Sequence, residues 1–414
     1  MINSTATSPV KRTGAKKLKF FENFDLPLAV IVITLFAIGL LMVYSASWQY
    51  AVGRGDSEYK TVLRQLGIGI VSIVGAGLIT FIDYRLYKKF VVWGMLGIVV
   101  LCLLVLLFGQ ATELGARRGL LSGSIQPSEF AKLGIIIYLS FWLYSKRNTL
   151  DRWTFGIIPL MGIVGITAGL ILAQPDISAA ATIIVLGGML FFIAGGKLHQ
   201  ILIVVLVTGL LGLLVVKISD TASTRLSDYW GGLQDPKNAS DHVKWSLEAI
   251  INGGIFGVGI GRSTTKFIGL PVAVTDSIFS VIAEETGLLG AFVILALYVA
   301  LLWRGMKIAS RARDDLGKWL ASGISLWIFL EAAINTGVLV NLLPFAGNAL
   351  PLISSGGSSL VTTFAGIGIL MGIARQSRLD PATSERSSTH AVVDLRRRNR
   401  GRSVSGPVRS ASGR

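Results

Sequence analysis

The sequence predicts an all-α, polytopic integral membrane protein with about ten transmembrane helices. Hydrophobic residues make up 52% of the 414-residue chain and charged residues only 15%, and the mean hydropathy is +0.65. A soluble protein must expose more polar surface than this composition provides. The apolar residues also form continuous runs near the roughly 20 residues that a helix needs to cross a bilayer. A membrane β-barrel would alternate with period two instead.

Ten apolar runs are the candidate spans. In chain order they are Leu26–Ala46, Leu66–Ile82, Phe90–Phe108, Phe130–Leu143, Phe155–Leu172, Ile177–Ala194, Ile201–Val216, Ser277–Trp303, Trp319–Leu342 and Leu360–Ala374. The fourth and tenth are short and need flanking residues to cross. The first run lacks a small-residue cleavage site, which predicts an uncleaved first helix and not a signal peptide.

Lysine and arginine cluster before the first span and in the even-numbered loops. Under the positive-inside rule, this places both termini in the cytoplasm. The basic residues are Lys11, Arg12, Lys16, Lys17, Lys19, Arg85, Lys88, Lys89, Lys146, Arg147, Arg152, Lys197, Arg304, Lys307, Arg311, Arg313 and Lys318. The net charge of +16 therefore follows membrane topology, which argues against nucleic acid as a partner.

The predicted membrane domain covers residues 25–376, between a basic cytoplasmic tail (1–24) and a basic cytoplasmic tail predicted to be disordered (377–414). The odd-numbered loops face outward, and the largest, about 219–275, joins spans seven and eight. Within it, Trp245 to Ile260 is too short and glycine-rich to span, which predicts an interfacial or re-entrant helix. The single cysteine, Cys102, and three histidines exclude a disulfide framework and a zinc site built from them.

The third loop and the start of span four carry charges that topology does not explain. Arg117 and Arg118 lie on the outer side, where they either bind phosphate oxygens of an anionic substrate or reach lipid headgroups. Pro127 and Glu129 suit the first turn of a helix. Glu129 and Lys132 have the spacing of a helical ion pair. Lys132 would then lie inside the membrane, where a charge indicates function.

The seventh loop ends at Thr275–Asp276, beside the start of span eight. Asp276 is either a capping acid or a general base at the outer surface. If the helix starts there, Glu284 and Glu285 lie roughly 12 Å deeper. Acids at that depth should face a polar cavity or a cationic partner. The pattern predicts a groove that leads from the outer surface into the membrane.

Three further motifs leave alternatives open. Gln174–Asp176 (QPD) is either a simple turn or part of a site. The glycines of residues 253–263 resemble a nucleotide loop, but no strand precedes them and no Walker lysine is present, so we reject that interpretation. The ninth loop, Asn335–Val361, is either backbone lying in a protein-lined pocket or a packing point of small residues between two helices.

These motifs, in this order, resemble the SEDS family, whose members include FtsW, RodA and SpoVE. The resemblance covers about Phe21–Arg375. It rests on GARR…QPSEFAKL, QPD, SLEAIINGGIFGVGIGRSTTK…LP…TDSIFSVIAEETG and LP…LPLISSGGSS, whose wording leans toward FtsW. It implies a peptidoglycan glycosyltransferase that polymerises lipid II at the outer face of the cytoplasmic membrane, for cell division or for cell shape. The implied partners are lipid II and undecaprenyl-pyrophosphate-linked glycan, a class B penicillin-binding protein and other division or elongation proteins.

The resemblance also implies roles for individual residues. The aspartate regarded as essential in the family's TD motif falls on Asp276, which is therefore the catalytic candidate. The candidate substrate-binding residues are Arg117, Arg118, Glu129, Lys132, Lys266, Glu284, Glu285, Asn335 and Ser358. Of these, Glu129 and Lys132 match the family's QPSE..K, and Ser358 lies in its serine–glycine signature. A divalent cation, Mg or Mn, is the cofactor that the sequence leaves open, and no other cofactor is indicated.

Several positions depart from the family pattern. Gly119 stands where a tryptophan is usual, and Ser277 where a phenylalanine often follows TD; Ser355 replaces a frequent tyrosine, and Asn341 and Phe345 are also unusual. Two other functions remain as alternatives. Intramembrane acids and a glycine-rich segment also suit a lipid II flippase, although the two halves show no inverted repeat. A scaffold with a basic tail that binds anionic lipid or a cytoplasmic partner is the third.

Overall fold

The computed structural model describes residues 24–53, 57–109, 126–150 and 152–379, with only the backbone of residues 49–53 and 379. Within these ranges every regular element is helical and no strand occurs. The predictions for the N-terminal tail, for Arg117, Arg118 and Gly119, and for most of the C-terminal tail lie outside the described residues.

Ten long helices in the described ranges correspond to the ten predicted spans. They are α1 Leu26–Gly53, α2 Lys60–Phe81, α3 Val91–Phe108, α4 Pro127–Lys146, α5 Ile157–Leu172, α6 Ile177–Ile193, α7 Leu198–Ile218, α11 Ile278–Ser310, α12 Asp315–Leu339 and α13 Gly357–Leu379. Between α7 and α11 lie the shorter helices α8 Asp220–Gln234, α9 Asp241–Gly253 and α10 Thr265–Ile268. Two 3-10 helices cover Tyr84–Lys89 and Pro236–Asn238.

Seven of the described helices, α1, α2, α3, α7, α11, α12 and α13, are long and apolar enough to cross a membrane. The apolar helices α5 and α6 are shorter, with 16 and 17 residues. Helix α4 has 20 residues but carries Glu129 and Lys132 within its first two turns. The protein is therefore a multi-pass membrane protein, while the inward orientation of its termini stays a prediction.

The helices differ in how much of their surface the protein covers. Helices α3 and α7 expose most of their apolar side chains, as lipid-facing helices do, whereas α12 and α13 are largely buried. Small residues bring α13 against α2: a Cβ on Gly368 would lie 2.7 Å from the Ala76 carbonyl oxygen. Close approach at small residues is the usual device for packing helices in lipid, where no hydrophobic effect drives them together. The buried centre of the bundle is formed by α4, α6, α11, α12 and α13.

Three element boundaries differ from the sequence prediction. The loop between α7 and α11 contains α8, where the sequence predicts no helix, and the predicted helix at 245–260 is replaced by α9, which ends at Gly253. Helix α11 begins at Ile278, after Asp276. Helix α13 runs on to Leu379, past the predicted end of the membrane domain at residue 376.

Candidate active site

Asp276 lies on a turn that immediately precedes α11. The N-cap of α11 is Ser277, whose side chain makes no capping hydrogen bond, so the cap is not Asp276, the residue that one of the two sequence alternatives placed there. The turn places Val272 in the left-handed region, at φ 49°, a conformation that a β-branched residue adopts only when its surroundings impose it. Asp276 is partly buried and lies at the N-terminal end of α11. The turn therefore presents this carboxylate outside the regular helix.

The backbone on both sides of the Asp276 side chain is clamped from other parts of the fold. Asn335 of α12 donates from Nδ2 to the Asp276 carbonyl oxygen at 2.8 Å and to the Asn348 carbonyl at 2.5 Å. Ser354 Oγ donates to the Thr275 carbonyl at 2.6 Å. Asn335, a predicted substrate-binding residue, thus reaches the site by holding the Asp276 main chain.

The segment between α12 and α13, residues 340–356, is irregular backbone that is exposed at Leu342 and buried in the bundle from Leu350 to Ser354. Gln65 of α2 donates to the Ile353 and Ser354 carbonyls, each at 3.2 Å. On α1, a Cβ at Gly39 would lie 2.7 Å from Ile353 Cα, so only glycine allows the helix this close. Buried main-chain carbonyls need such donors. Of the two alternatives for the ninth loop, backbone in a protein-lined pocket is therefore confirmed.

Helix α11 is broken at Gly287, which has φ 70° and ψ −175°. The glycine-rich segment 253–261 fills the break with main-chain hydrogen bonds. These are Val258 N to Glu284 O (3.0 Å), Gly259 N to Glu285 O (3.0 Å), Leu288 N to Gly254 O (2.9 Å) and Leu289 N to Ile255 O (3.3 Å). A Cβ at Gly257 would lie 2.3 Å from the Glu285 carbonyl oxygen. The glycines therefore permit close backbone contact, consistent with the rejection of a nucleotide loop.

Glu284 holds the outer loop against α11. Its carboxylate accepts from the Thr264 and Thr265 amides at 3.1 and 3.3 Å and from the Ser263 hydroxyl. Since Asp276 precedes the helix, the helical spacing assumed between Asp276 and the two glutamates does not apply. Glu284 is buried and meets hydroxyl and amide donors, where the sequence predicted a polar cavity or a cationic partner.

Glu285 has the cationic partner that its depth predicted. Lys266 Nζ lies 2.6 Å from Glu285 Oε1, and both side chains are fully buried, at 0% exposure. Ser45 of α1 donates to the same carboxylate oxygen at 2.5 Å and its carbonyl accepts from Lys266 at 2.8 Å. Lys266 and Glu285 thus connect α10 to α1 and α11, and substrate binding by Lys266 stays a prediction.

A second buried charge cluster lies between α4 and α12. Lys132 Nζ is 2.7 Å from Glu129 Oε1 and also pairs with Glu331 Oε1, and Lys132 and Glu331 are each 1% exposed. The predicted pair of Glu129 and Lys132 is observed. Glu331 was missed, although a carboxylate in an apolar span was a sufficient signal.

The start of α4 connects the QPD turn to α13. Asp176 caps α6 by accepting from the Ala179 amide at 3.3 Å, and it also accepts from Ser128 Oγ at 2.9 Å. The Gln126 amide donates to Ser358 Oγ at 3.0 Å. The QPD motif is therefore a turn in which Asp176 caps α6 and also binds Ser128 of α4. Ser358 of α13 binds the main chain of the residue before α4.

His242 of α9 is a site residue that sequence reasoning missed. Its Nδ1 lies 3.4 Å from Ser277 Oγ, next to Asp276, and its ring stacks on Phe345 with centroids 4.3 Å apart. Burial and the nearby positive charge of Arg225 lower the pKa of His242 to about 4, against the opposing effect of Asp241. Nothing in the local sequence marked this histidine, since its partners lie on distant segments.

An apolar groove of about 670 Å³ lies beneath the outer end of α11 and α12. It opens where Phe292 and Val299 are exposed on the bundle surface. Its lining residues are Ile250, Phe279, Ala283, Leu288, Ala291, Phe292, Leu295, Tyr298, Val299, Phe329, Ala332, Ala333, Thr336, Gly337, Val340 and Leu342. The sequence predicts a groove from the outer surface into the membrane that Glu284 and Glu285 would face, and neither glutamate lines this apolar groove.

A divalent cation held by the protein would need several metal-ligating side chains close together. In the described ranges, no group of three or more His, Cys, Asp or Glu side chains lies together in a way that could hold a metal ion. These residues therefore offer no complete protein donor set, and the divalent cation stays a prediction.

The fold defines a multi-pass membrane protein, and its candidate active site is the clamped turn that carries Asp276 before α11. A family model described as "Cell cycle protein", for FtsW, RodA and SpoVE, matches residues 26–379. The chain belongs to this family, the SEDS family that its motifs resemble.

Known relatives match along nearly their whole length. The chain is 34% identical over 362 residues to a probable peptidoglycan glycosyltransferase FtsW of Geobacter sp. (strain M18), covering 86% of this chain and 98% of that one. It is 35% identical over 362 residues to stage V sporulation protein E of Bacillus subtilis (strain 168), with the same coverage of 86% and 98%.

Solved structures share the fold. Rod shape determining protein RodA of Thermus thermophilus gives a TM-score of 0.63 at 25% identity, over 86% of this chain and 98% of that chain. A chain from a structure described as the coordination of polymerization and crosslinking by a peptidoglycan synthase complex gives 0.68 at 25% identity, over 86% and 99%.

Proposed function

We propose that this protein is a peptidoglycan glycosyltransferase that polymerises lipid II into glycan strands at the outer face of the cytoplasmic membrane. The observation that carries the proposal is the fixed presentation of Asp276. Its main chain is held by Asn335 at 2.8 Å, and the preceding carbonyl by Ser354 at 2.6 Å. A base held in one position avoids the entropic cost of ordering it during the reaction. The family membership and the names of the relatives support the same activity.

Asp276 acts as the general base. A sugar hydroxyl of lipid II attacks the anomeric carbon of the growing, lipid-linked chain while its proton passes to the Asp276 carboxylate. A glycosidic C–O bond forms, and the C–O bond to the lipid pyrophosphate breaks, releasing undecaprenyl pyrophosphate. Because the pyrophosphate is already an activated leaving group, no nucleotide is required. General-base assistance of this kind typically contributes about 10²–10⁴-fold to the rate.

The leaving pyrophosphate needs positive charge nearby. Lys132 and Lys266 are both engaged by buried carboxylates, so we assign this role to Arg117 and Arg118, which lie outside the described residues. A divalent cation, if one binds, would add positive charge at the pyrophosphate. This division leaves the two lysines to hold the helices that carry the site.

The substrate and the partner both meet the protein in the membrane. The apolar groove between α11 and α12 offers a bilayer-facing surface that suits an apolar chain, such as a polyprenyl tail or a partner's transmembrane segment. A class B penicillin-binding protein is the proposed transpeptidase partner, together with other division or elongation proteins. Identification of the transpeptidase that co-purifies with the native protein would assign it to septal or to cell-shape synthesis.

The product of the reaction tests this function against lipid II transport. Purified protein with its transpeptidase partner is incubated with labelled lipid II, and the products are separated by size. A ladder of glycan strands is expected. Lipid II that is moved across vesicle membranes without any polymer would instead identify a flippase and contradict the proposal.

A further inference from the structure

His242 occupies a defined stack beside the catalytic turn. Its imidazole lies against Phe345 with an interplanar angle of 25°, and the Arg225 guanidinium is 5.4 Å from the centroid of the same phenylalanine. The three residues come from α9, the 340–356 segment and α8. Their packing fixes the plane of the imidazole, so the ring nitrogens have fixed directions.

The contact with Ser277 bears on which nitrogen of this imidazole carries the proton. The serine is fully buried, at 0% exposure, and its hydroxyl has His242 Nδ1 as its hydrogen-bond partner, at 3.4 Å. A buried hydroxyl needs a partner. When the hydroxyl donates to Nδ1, that nitrogen is the acceptor, and the single proton of the neutral ring is on Nε2.

The second ring nitrogen of His242, Nε2, is available for a ligand. Burial and the Arg225 charge keep the pKa of His242 near 4, so the ring is neutral at physiological pH. Within the described part of the chain, Nε2 makes no hydrogen bond, and the residue is only partly buried. A neutral N–H donor suits a hydroxyl oxygen of a sugar, whereas a pyrophosphate is better met by a cation.

We infer that His242 donates a hydrogen bond from Nε2 to a sugar oxygen of the substrate beside Asp276, with Ser277 fixing the tautomer. The inference rests on the proposed function, because Asp276 must be the reacting site. It makes His242 a substrate-positioning residue.

Three substitutions at His242 distinguish the contributions of Nε2, of Nδ1 and of the stacked ring. His242→Gln keeps a donor near the Nε2 position, His242→Asn keeps a polar atom only near the Nδ1 position, and His242→Phe keeps only the stack on Phe345. The kcat and KM for labelled lipid II are measured on each full-length protein with its transpeptidase partner. Melting temperatures of the same samples report folding.

The glutamine variant should retain kcat/KM within about threefold, while the asparagine and phenylalanine variants should lose about tenfold, the effect of one hydrogen bond. The loss should fall mainly in KM. Ser277→Ala should lower kcat/KM in the wild type but have no further effect in His242→Gln, which has no tautomer to fix.

Two results would overturn the inference. One is wild-type kcat/KM in both His242→Asn and His242→Phe; the other is a loss that follows melting temperature across all three variants, since that assigns a purely structural role. A wild-type protein that makes no polymer would overturn the proposed function itself, and this is seen before any variant is compared.

Discussion

Lys132 is a single ammonium group between two carboxylates inside the membrane. Glu129 and Glu331 both contact it, so the cluster has one more acidic group than basic groups. Glu129 Oε2 is buried without a hydrogen-bond partner, which shows how incompletely the cluster is satisfied. Such clusters are costly to form, and removing one member leaves an uncompensated buried charge.

Lys132→Met should therefore destabilise the protein by about 3–5 kcal/mol, because two buried carboxylates lose their shared cation. The measurement is the midpoint of thermal unfolding in detergent. The matched control is the triple variant Lys132→Met/Glu129→Gln/Glu331→Gln, which removes all three charges and should recover much of the loss. An unchanged midpoint in the single variant would show that the cluster does not stabilise the fold.

The ionisation of His242 gives a second prediction at this scale. Its pKa in the folded protein is about 4, below the ordinary 6.5, so the folded state favours the neutral ring. The stability that this contributes is present above about pH 6.5 and is lost as the pH falls toward 4. Arg225→Gln removes a nearby cation and should raise the pKa of His242. NMR titration of labelled histidines, assigned with His242→Asn, measures the change; an unaltered pKa would contradict the electrostatic cause.

Individual residues were predictable where the sequence carried an anomaly. Lys132 stood out as a charge within an apolar helix, and Asp276 as an acid on the outer side. Glu331 carried the same kind of signal as Lys132 and was overlooked. His242 carried none, because its meaning depends on contacts with Ser277 and Phe345 that only the folded chain creates.

Helix α11 combines a break with an inserted glycine segment. At Gly287 the backbone lies in a region that only glycine adopts without strain, and a Cβ there would be 2.3 Å from the Ile255 carbonyl oxygen. The break exposes main-chain groups that segment 253–261 satisfies. Because Glu284 and Glu285 lie just before the break, its geometry also positions the side chains that hold this loop.

Gly287→Ala should destabilise the protein by about 2 kcal/mol or more, through backbone strain and displacement of the glycine segment. The control is Gly162→Ala on α5, where a Cβ would meet nothing within 4 Å. That substitution should be neutral or slightly stabilising. Thermal unfolding of both variants is the measurement, and equal midpoints would mean that the break at Gly287 is not constrained.

At the scale of elements, all ten predicted spans appear as helices because continuous apolar runs have no other solution in lipid. The outer helices were harder to predict. Helix α8 is mostly polar, and α9 is amphipathic but continues into glycines that extended the predicted helix too far. The start of α11 was predicted to within one residue, Ser277 against the observed Ile278.

At the scale of the whole molecule, the arrangement depends on which side of the membrane each loop faces. The chain has one cysteine, Cys102, so a Cys102→Ser background allows single labelling sites. Glu248→Cys on α9 and Arg311→Cys after α11 are both at exposed positions. A membrane-impermeant maleimide added to intact cells should label the first and not the second; the reverse pattern would invert the predicted topology.

The site itself could be predicted only in part, because long-range contacts assemble it. Asn335 reaches Asp276 across 59 positions of sequence, and Ser45 reaches Glu285 across 240. Motif order pointed to the correct family without indicating which residues hold the backbone and which face the substrate. Lys266 is an example. Its motif suggests substrate binding, which stays a prediction, and its side chain is buried against Glu285.

The polymerisation rate of Asp276→Asn tests the central claim most directly. Asparagine nearly preserves the shape of the side chain but cannot accept the hydroxyl proton, so the rate of glycan synthesis from labelled lipid II should fall by about 10²-fold or more. The matched control is Glu248→Gln, which neutralises an exposed acid of the same outer loop and should retain the wild-type rate. A folded Asp276→Asn protein, purified with its partner, that polymerises lipid II at the wild-type rate would remove Asp276 from the mechanism.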